Sequence, residues 1–266
     1  MSMTATIRAG FGGWTFEPWN TSFYPPKLAK KRQLEHASRQ VPTIEINGTY
    51  YRDQKPAVFA GWAAEVPQDF VFSMKANRFT TIKKVLAESG ESISRFINSG
   101  ISELGPHLGP IVWQFAPTKK FDPEDFDAWL QLLPESQDGI KLQHALEVRH
   151  ESFLDPEFVS MARKYNAAIV CADHEIYPEI ADVTSDFVYA RLQRGNDEIE
   201  TCYEDTEMDR WVARAKQWAS AGQPDDLPLV SAQSPVPEIP RDVYLYFIRH
   251  GKARAPHGAM AFMERL

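Results

Sequence analysis

The sequence predicts an α/β fold: one (βα)8 TIM-like barrel spanning residues 1–266, with an irregular sixth or eighth unit. Three observations predict it. Eight short apolar runs punctuate the chain, helix-like spacing fills most of the gaps between them, and 266 residues is a typical length for one such barrel. Nearly every run ends in charged or hydrogen-bonding residues. A parallel barrel gathers all its strand C-termini on one face, so those polar residues should share that face.

The strand runs are Ile7–Gly10, Thr43–Ile46, Phe70–Met74, Gly109–Trp113, His144–Val148, Ala167–Ala172, Phe187–Leu192 and Asp242–Phe247. Each is dense in β-branched, aromatic or small apolar residues and is bounded by Gly, Pro or polar clusters. Ala168-Ile169-Val170-Cys171 is apolar throughout, as a parallel strand buried on both faces should be. Helix-like segments are Leu28–Arg39, Lys55–Glu65, Glu91–Leu104, Pro123–Leu133, Pro156–Tyr165 and Asp205–Ser220. Asp122-Pro123-Glu124 and Asp155-Pro156-Glu157 each put an N-cap aspartate before a proline at the first helical position. Met208, Trp211, Val212, Ala215 and Trp218 follow helical spacing and mark one apolar face. Ile176–Asp186 holds at most a brief helix. Gln223–Arg241, with five prolines, reads as an irregular insertion on the face opposite the site.

Composition bounds the function classes. Hydrophobic residues make up 43% of the chain, and the formal net charge is −7. An acidic balance argues against a general nucleic-acid or acidic-membrane binder, which needs a basic excess. No run reaches membrane-spanning length, and Met1–Ala9 lacks a signal peptide's apolar stretch. Two cysteines, Cys171 and Cys202, make no disulfide framework, so a reducing, cytoplasmic setting is expected. The sequons at Asn20 and Asn47 then carry no meaning.

Candidate chemistry sits at the strand ends. Alternation puts Glu45 and Asn47 on one face of strand two, and Glu147 and Arg149 on one face of strand five. A carboxylate pointing into a barrel is costly unless paired. Glu45, Lys75, Glu147, Arg149, Asp173 and Arg191 are the candidate catalytic residues, expected to converge on one cleft. The bland alternative is an ion network that only closes the barrel. Lys75 could act through a Schiff base only with a depressed pKa, and nearby Glu45 and Glu147 are expected to push it the other way. Asn47, Tyr50 and Gln114 would orient a ligand, and Trp14 would stack on it. Arg249, His250 and Lys252, after strand eight, suit an anion, because barrels often hold phosphate with the loops after strands seven and eight. Asp173-His174-Glu175 hints at metal, but the seven histidines show no ligand spacing, so no metal or other cofactor is expected. Gly10-Phe11-Gly12-Gly13 lacks the third glycine of a dinucleotide fingerprint.

These residues also carry a family resemblance. Gly12-Gly13-Trp14-Thr15-Phe16 with Trp19 and Ser22-Phe23-Tyr24-Pro25, Thr43 through Arg52, and Phe70 through Lys75 resemble the DUF72 (YecE-like) family. So do Leu108-Gly109-Pro110, Gln114-Phe115-Ala116-Pro117, Glu147 through Phe153, Ala172-Asp173 and Tyr189 through Leu192. The resemblance runs over essentially the whole chain. It implies a TIM-like barrel and a family without an established activity. Many members end strand eight with an Asn-Asn pair, where this chain has Ile248-Arg249, and the proline-rich segment is longer than usual here.

The residues point to an enzyme, a hydrolase or isomerase, using acid–base chemistry on a small anionic, phosphorylated or sugar-like substrate. Glu45 and Glu147 are the expected acid and base, and Lys75, Arg149 and Arg191 stabilise negative charge. The alternatives are a metal-assisted phosphodiesterase acting on nucleic acid, which the acidic net charge disfavours, and a non-catalytic binder of an anionic metabolite.

Overall fold

The computed structural model describes residues 5–231 and 238–266. Eight parallel strands close into a barrel in chain order: β1 (Ile7–Gly12), β2 (Thr43–Ile46), β3 (Val71–Lys75), β4 (Leu108–Gln114), β5 (His144–Glu147), β6 (Ala168–Asp173), β7 (Phe187–Arg194) and β8 (Asp242–His250). β8 pairs with β1, Ile7 opposite Val243, which completes the ring. Every strand expected from the sequence is present, with ends moved by up to three residues.

Helices pack around the ring: α1 (Gln33–Ala37), α2 (Pro56–Glu65), α3 (Gly90–Ile97), α4 (Pro123–Leu130), α5 (Pro156–Lys164), α6 (Asp205–Ala219) and α7 (Ala255–Glu264). The expected N-caps form: Asp122 accepts from the Asp125 amide at 3.2 Å, and Asp155 from the Glu157 amide at 2.8 Å. All five apolar residues anticipated on α6 are buried. The first and third helical segments are shorter than the pattern suggests. Lys30–Arg32 and Ile101–His107 are 3₁₀ turns, the latter broken at Gly105 and Pro106. The sixth unit is irregular as expected, with no helix between β6 and β7. The eighth is regular: α7 follows β8, although its small residues, Gly258 and Pro256 gave little helical signal in the sequence.

The first part of the proline-rich segment packs below the barrel, where the Ala181 amide donates to the Pro228 carbonyl at 3.0 Å and the Val230 amide to Asp182 at 2.7 Å. Residues 232–237 of that segment lie outside the described residues. Among the described residues no helix is long and apolar enough to cross a membrane.

Alternation divides each strand between two cores. Outward-facing residues such as Ile44, Phe72, Trp113, Leu146 and Leu192 pack against the helices. Inside the ring, Val71, Val112, Ala145, Val170, Phe187 and Tyr244 form the floor, with Tyr189 and Tyr246 stacked 5.0 Å apart above it. A glycine is required at one strand contact: a Cβ on Gly10 would lie 1.9 Å from the Thr43 carbonyl oxygen. β1 and β2 can approach as they do only without a side chain there.

Candidate functional site: a cationic cleft over a buried ion network

The tyrosine layer carries the first polar contacts. Tyr246 hydrogen-bonds Thr43 at 2.7 Å, and Tyr189 hydrogen-bonds Ser73 at 2.7 Å and donates to Glu45 at 2.8 Å. Glu45 and Glu147, 0% and 1% exposed, sit above with Arg191, which is 4% exposed. Arg191 grips Glu45 with two hydrogen bonds of 3.1 and 3.0 Å and bonds Glu147 through its Nη1. The other oxygen of Glu147 accepts from Arg149 at 3.0 and 2.8 Å. Gln114 donates to Glu147 at 2.7 Å, and Lys75 donates to Gln114 at 3.0 Å. Five strand ends, β2, β3, β4, β5 and β7, thereby join in one network.

The electrostatics follow from that wiring. Burial by itself would raise the Glu147 pKa, but Arg191, Arg149 and Lys75 together pull it down to about 2. Arg191 is held above its ordinary value, since Glu147 and Glu45 outweigh its own desolvation. Both groups are therefore fixed in their charged forms. Lys75 goes the other way and corrects the sequence expectation. Burial lowers its pKa, Arg191 and Arg149 add to the drop, and Glu45 and Glu147 offset only part, leaving it at about 8. The carboxylates make their hydrogen bonds to the arginines, Tyr189 and Gln114, and Lys75 reaches Glu147 only through Gln114. Its ammonium also lies 4.2 Å from the centre of the Tyr50 ring.

Above the network opens a cleft of about 600 Å³. Trp14, Asn47, Lys75, Gln114, Arg149, Arg191, Arg249 and Lys252 line it, as expected from the sequence. Trp14 meets Trp62 edge-to-face at 5.2 Å, and Lys252 lies 4.4 Å over Phe16, so the β1 side of the wall is aromatic. Arg249 adopts a left-handed backbone, φ +70°, where the β7–β8 register shifts. It bonds His174, and it donates to Glu175 at 3.0 Å. His174 stacks on Tyr177 at 4.1 Å, and Arg149 lies 4.8 Å over the same tyrosine ring. Both arginines are thus oriented from the loop after β6.

Five residues do not take the places expected for them. Glu45 and Glu147 lie beneath the lining, sealed by Arg191 and its partners. Asp173 points outward, because Ala172 takes the inward position at the end of β6. It accepts from Tyr203 at 2.8 Å and pairs with Arg194, away from the cleft. His250 is exposed outside the lining, since the bulge that brings Arg249 inward turns the next side chain out. Tyr50 lies behind the lining, its ring against Lys75 and edge-to-face with Tyr51 at 5.2 Å. Arg52, Trp62 and Gln193 also line the cleft and were not singled out from the sequence. Gln193 was within reach, two residues past inward-facing Arg191. Trp62 comes from mid-helix, where nothing in the sequence separates it from a packing residue. Among the described residues no group of three or more His, Cys, Asp or Glu side chains is placed to hold a metal ion.

Comparison with known proteins agrees with this architecture. A DUF72 family protein of known structure from Thermotoga maritima MSB8 superposes with a TM-score of 0.71 at 21% identity, covering 97% of this chain and 98% of the other. Another DUF72 family protein, from Enterococcus faecalis V583, gives 0.68 at 18% identity over 98% and 95% of the two chains. The UPF0759 protein YunF of Bacillus subtilis (strain 168) is 26% identical over 167 residues, 61% of this chain and 57% of its own length. The family model described as protein of unknown function DUF72 matches residues 8–266, so the chain belongs to the DUF72 family.

Proposed function

We propose that this protein is an enzyme acting on a small anionic substrate, phosphorylated or sugar-like, bound in the cleft at the C-terminal end of the barrel. One observation carries the reading: Arg52, Lys75, Arg149, Arg191, Arg249 and Lys252 line the cleft, and among the described residues no acidic side chain does, on a chain whose net charge is −7. Concentrating cations in one concavity of an acidic protein focuses the field on a negatively charged ligand. The aromatic wall of Trp14 and Trp62 suits the ring or carbon skeleton of such a ligand.

The division of labour differs from two carboxylates exchanging protons. Glu147, ionised down to about pH 2, is a poor proton donor or acceptor near neutrality and serves to orient Arg149 and Arg191. Lys75, near pH 8, is the group in the cleft best matched to proton transfer at physiological pH. A non-catalytic binder of the same ligand is the second reading, and the pKa of Lys75 favours the enzyme over it. The metal-assisted phosphodiesterase finds no donor set among the described residues.

Thermal unfolding in inorganic phosphate tests the anion site. Phosphate should stabilise the parent protein, and Arg249→Ala should weaken that binding ten- to a hundred-fold, since one charge-assisted pair contributes roughly 1.5–3 kcal/mol. The free variant should lose no more than about 1 kcal/mol, because Arg249 is exposed and its pair with Glu175 is at the surface, leaving the bond to His174 as the main loss. No stabilisation by phosphate, or the same response in the variant, would refute the site.

A further inference from the structure

We propose that Lys75 captures carbonyl compounds: its Nζ forms a Schiff base with the aldehyde or ketone of a phosphorylated substrate held by the cleft's arginines. The proposal rests on the anionic-substrate reading above and names the substrate class, a phosphorylated aldehyde or ketone.

Geometry is the first support. Lys75 ends β3 pointing into the barrel, 8% exposed, and it forms part of the cleft lining. The hydrogen bond from its Nζ goes to the neutral amide oxygen of Gln114 at 3.0 Å. Neither carboxylate of the network hydrogen-bonds it: Glu45 is taken by Arg191 and Tyr189, and Glu147 by Arg191, Arg149 and Gln114. Burial together with cationic neighbours is the environment that leaves an amine neutral and nucleophilic. The downward shift of its pKa agrees. The charged groups bearing on it are Arg191, Arg149, Glu45 and Glu147, and the centre of the Tyr50 ring lies 4.2 Å from its Nζ.

The chemistry balances without an oxidant, reductant or further reagent. The Nζ lone pair forms a bond to the carbonyl carbon while the C=O π pair moves to oxygen. That oxygen takes a proton from the nitrogen, giving a neutral carbinolamine. A proton from solvent then lets the hydroxyl depart as water as the nitrogen lone pair forms C=N, leaving a protonated imine. Its positive charge replaces that of the ammonium opposite Glu45 and Glu147, so the network keeps its charge balance. Arg149, Arg249 and Lys252 line the same cleft and supply the donors for the substrate's phosphate.

Trapping with two aldehyde probes, glycolaldehyde phosphate and pyridoxal 5′-phosphate, tests the proposal. The protein is incubated with each at pH 7.5, reduced with borohydride and mapped by peptide mass spectrometry. Lys75 should label roughly 100-fold faster than exposed Lys141, the order by which a pKa of about 8 in place of the ordinary 10.5 enriches the neutral amine of Lys75. Inorganic phosphate should slow labelling at Lys75 and leave Lys141 unchanged. Lys75→Arg and Lys75→Met, checked for folding by circular dichroism, should lose the fast adduct only. Labelling of Lys75 no faster than Lys141 with either probe overturns the Schiff base, even where phosphate still stabilises the protein and the anion reading stands. Fast labelling that phosphate does not slow overturns the phosphorylated-substrate class instead.

Discussion

Replacing Lys75 by methionine should change how stability depends on pH. In the folded protein Lys75 titrates at about 8, against 10.5 for an ordinary lysine. The folded state therefore binds fewer protons than the unfolded chain between those values, and unfolding free energy rises with pH across that window. Below pH 8 the buried charge costs about 3 kcal/mol, from about 1.4 kcal/mol for each pH unit of displacement. Above pH 10.5 the cost is gone. Methionine has similar length and no charge, so it escapes the cost at every pH. It also loses the hydrogen bond to Gln114, contributing about 1 kcal/mol, whereas the ammonium's contact with Tyr50 is already part of the net cost of the charged form. The variant should be about 2 kcal/mol more stable than the parent at pH 7 and about 1 kcal/mol less stable above pH 10.5. Urea unfolding of both proteins at pH 7, 8, 9 and 10 measures the difference. A difference that stays constant over this range would refute the reasoning, because Lys75 would then titrate alike in folded and unfolded states.

Glu147→Gln should destabilise the fold by about 3–5 kcal/mol at pH 7, since it leaves Arg149 without its carboxylate and Arg191 with Glu45 alone. The folded pKa of Glu147 lies at about 2, below its ordinary value of 4.5, so its contribution is complete above pH 4.5 and falls away towards pH 2. Acid titration of urea midpoints should show the Gln variant losing less stability than the parent over that window. Gly10→Ala should cost about 3 kcal/mol or more, because the added methyl would collide with the Thr43 carbonyl where β1 pairs with β2. Soluble yield and the thermal midpoint report it, and a variant as stable as the parent would show that the strands can separate without loss.

The barrel and the face that holds its site were legible in the sequence because both follow from local rules. Eight apolar runs of strand length, with helical spacing between them, leave few closed arrangements, and a parallel ring puts all strand C-termini together. Period-two alternation put Glu45 with Asn47 and Glu147 with Arg149 on shared faces, and position at the strand ends singled out Lys75, Gln114 and Arg191. The same rule, applied to β6, would have turned Asp173 outward once Ala172 was taken as the inward residue. The strand's apolar residues occupy both faces, and the sequence alone does not say which face is the inner one. At β8 the bulge after Phe247 inverted the expected order, bringing Arg249 in and sending His250 out. Which charges pair was also beyond local rules. Arg191 lies 146 residues from Glu45 and 44 from Glu147, yet its position between them helps hold Glu147 ionised and lowers the pKa of Lys75. The sequence by itself determined which residue types would meet at the mouth of the barrel. Only the tertiary structure decided that the acids lie beneath the cleft, already neutralised by arginine, and that Lys75 is left with a neutral partner. Electrostatic interactions depend on distance and burial in three dimensions, and residue order specifies neither.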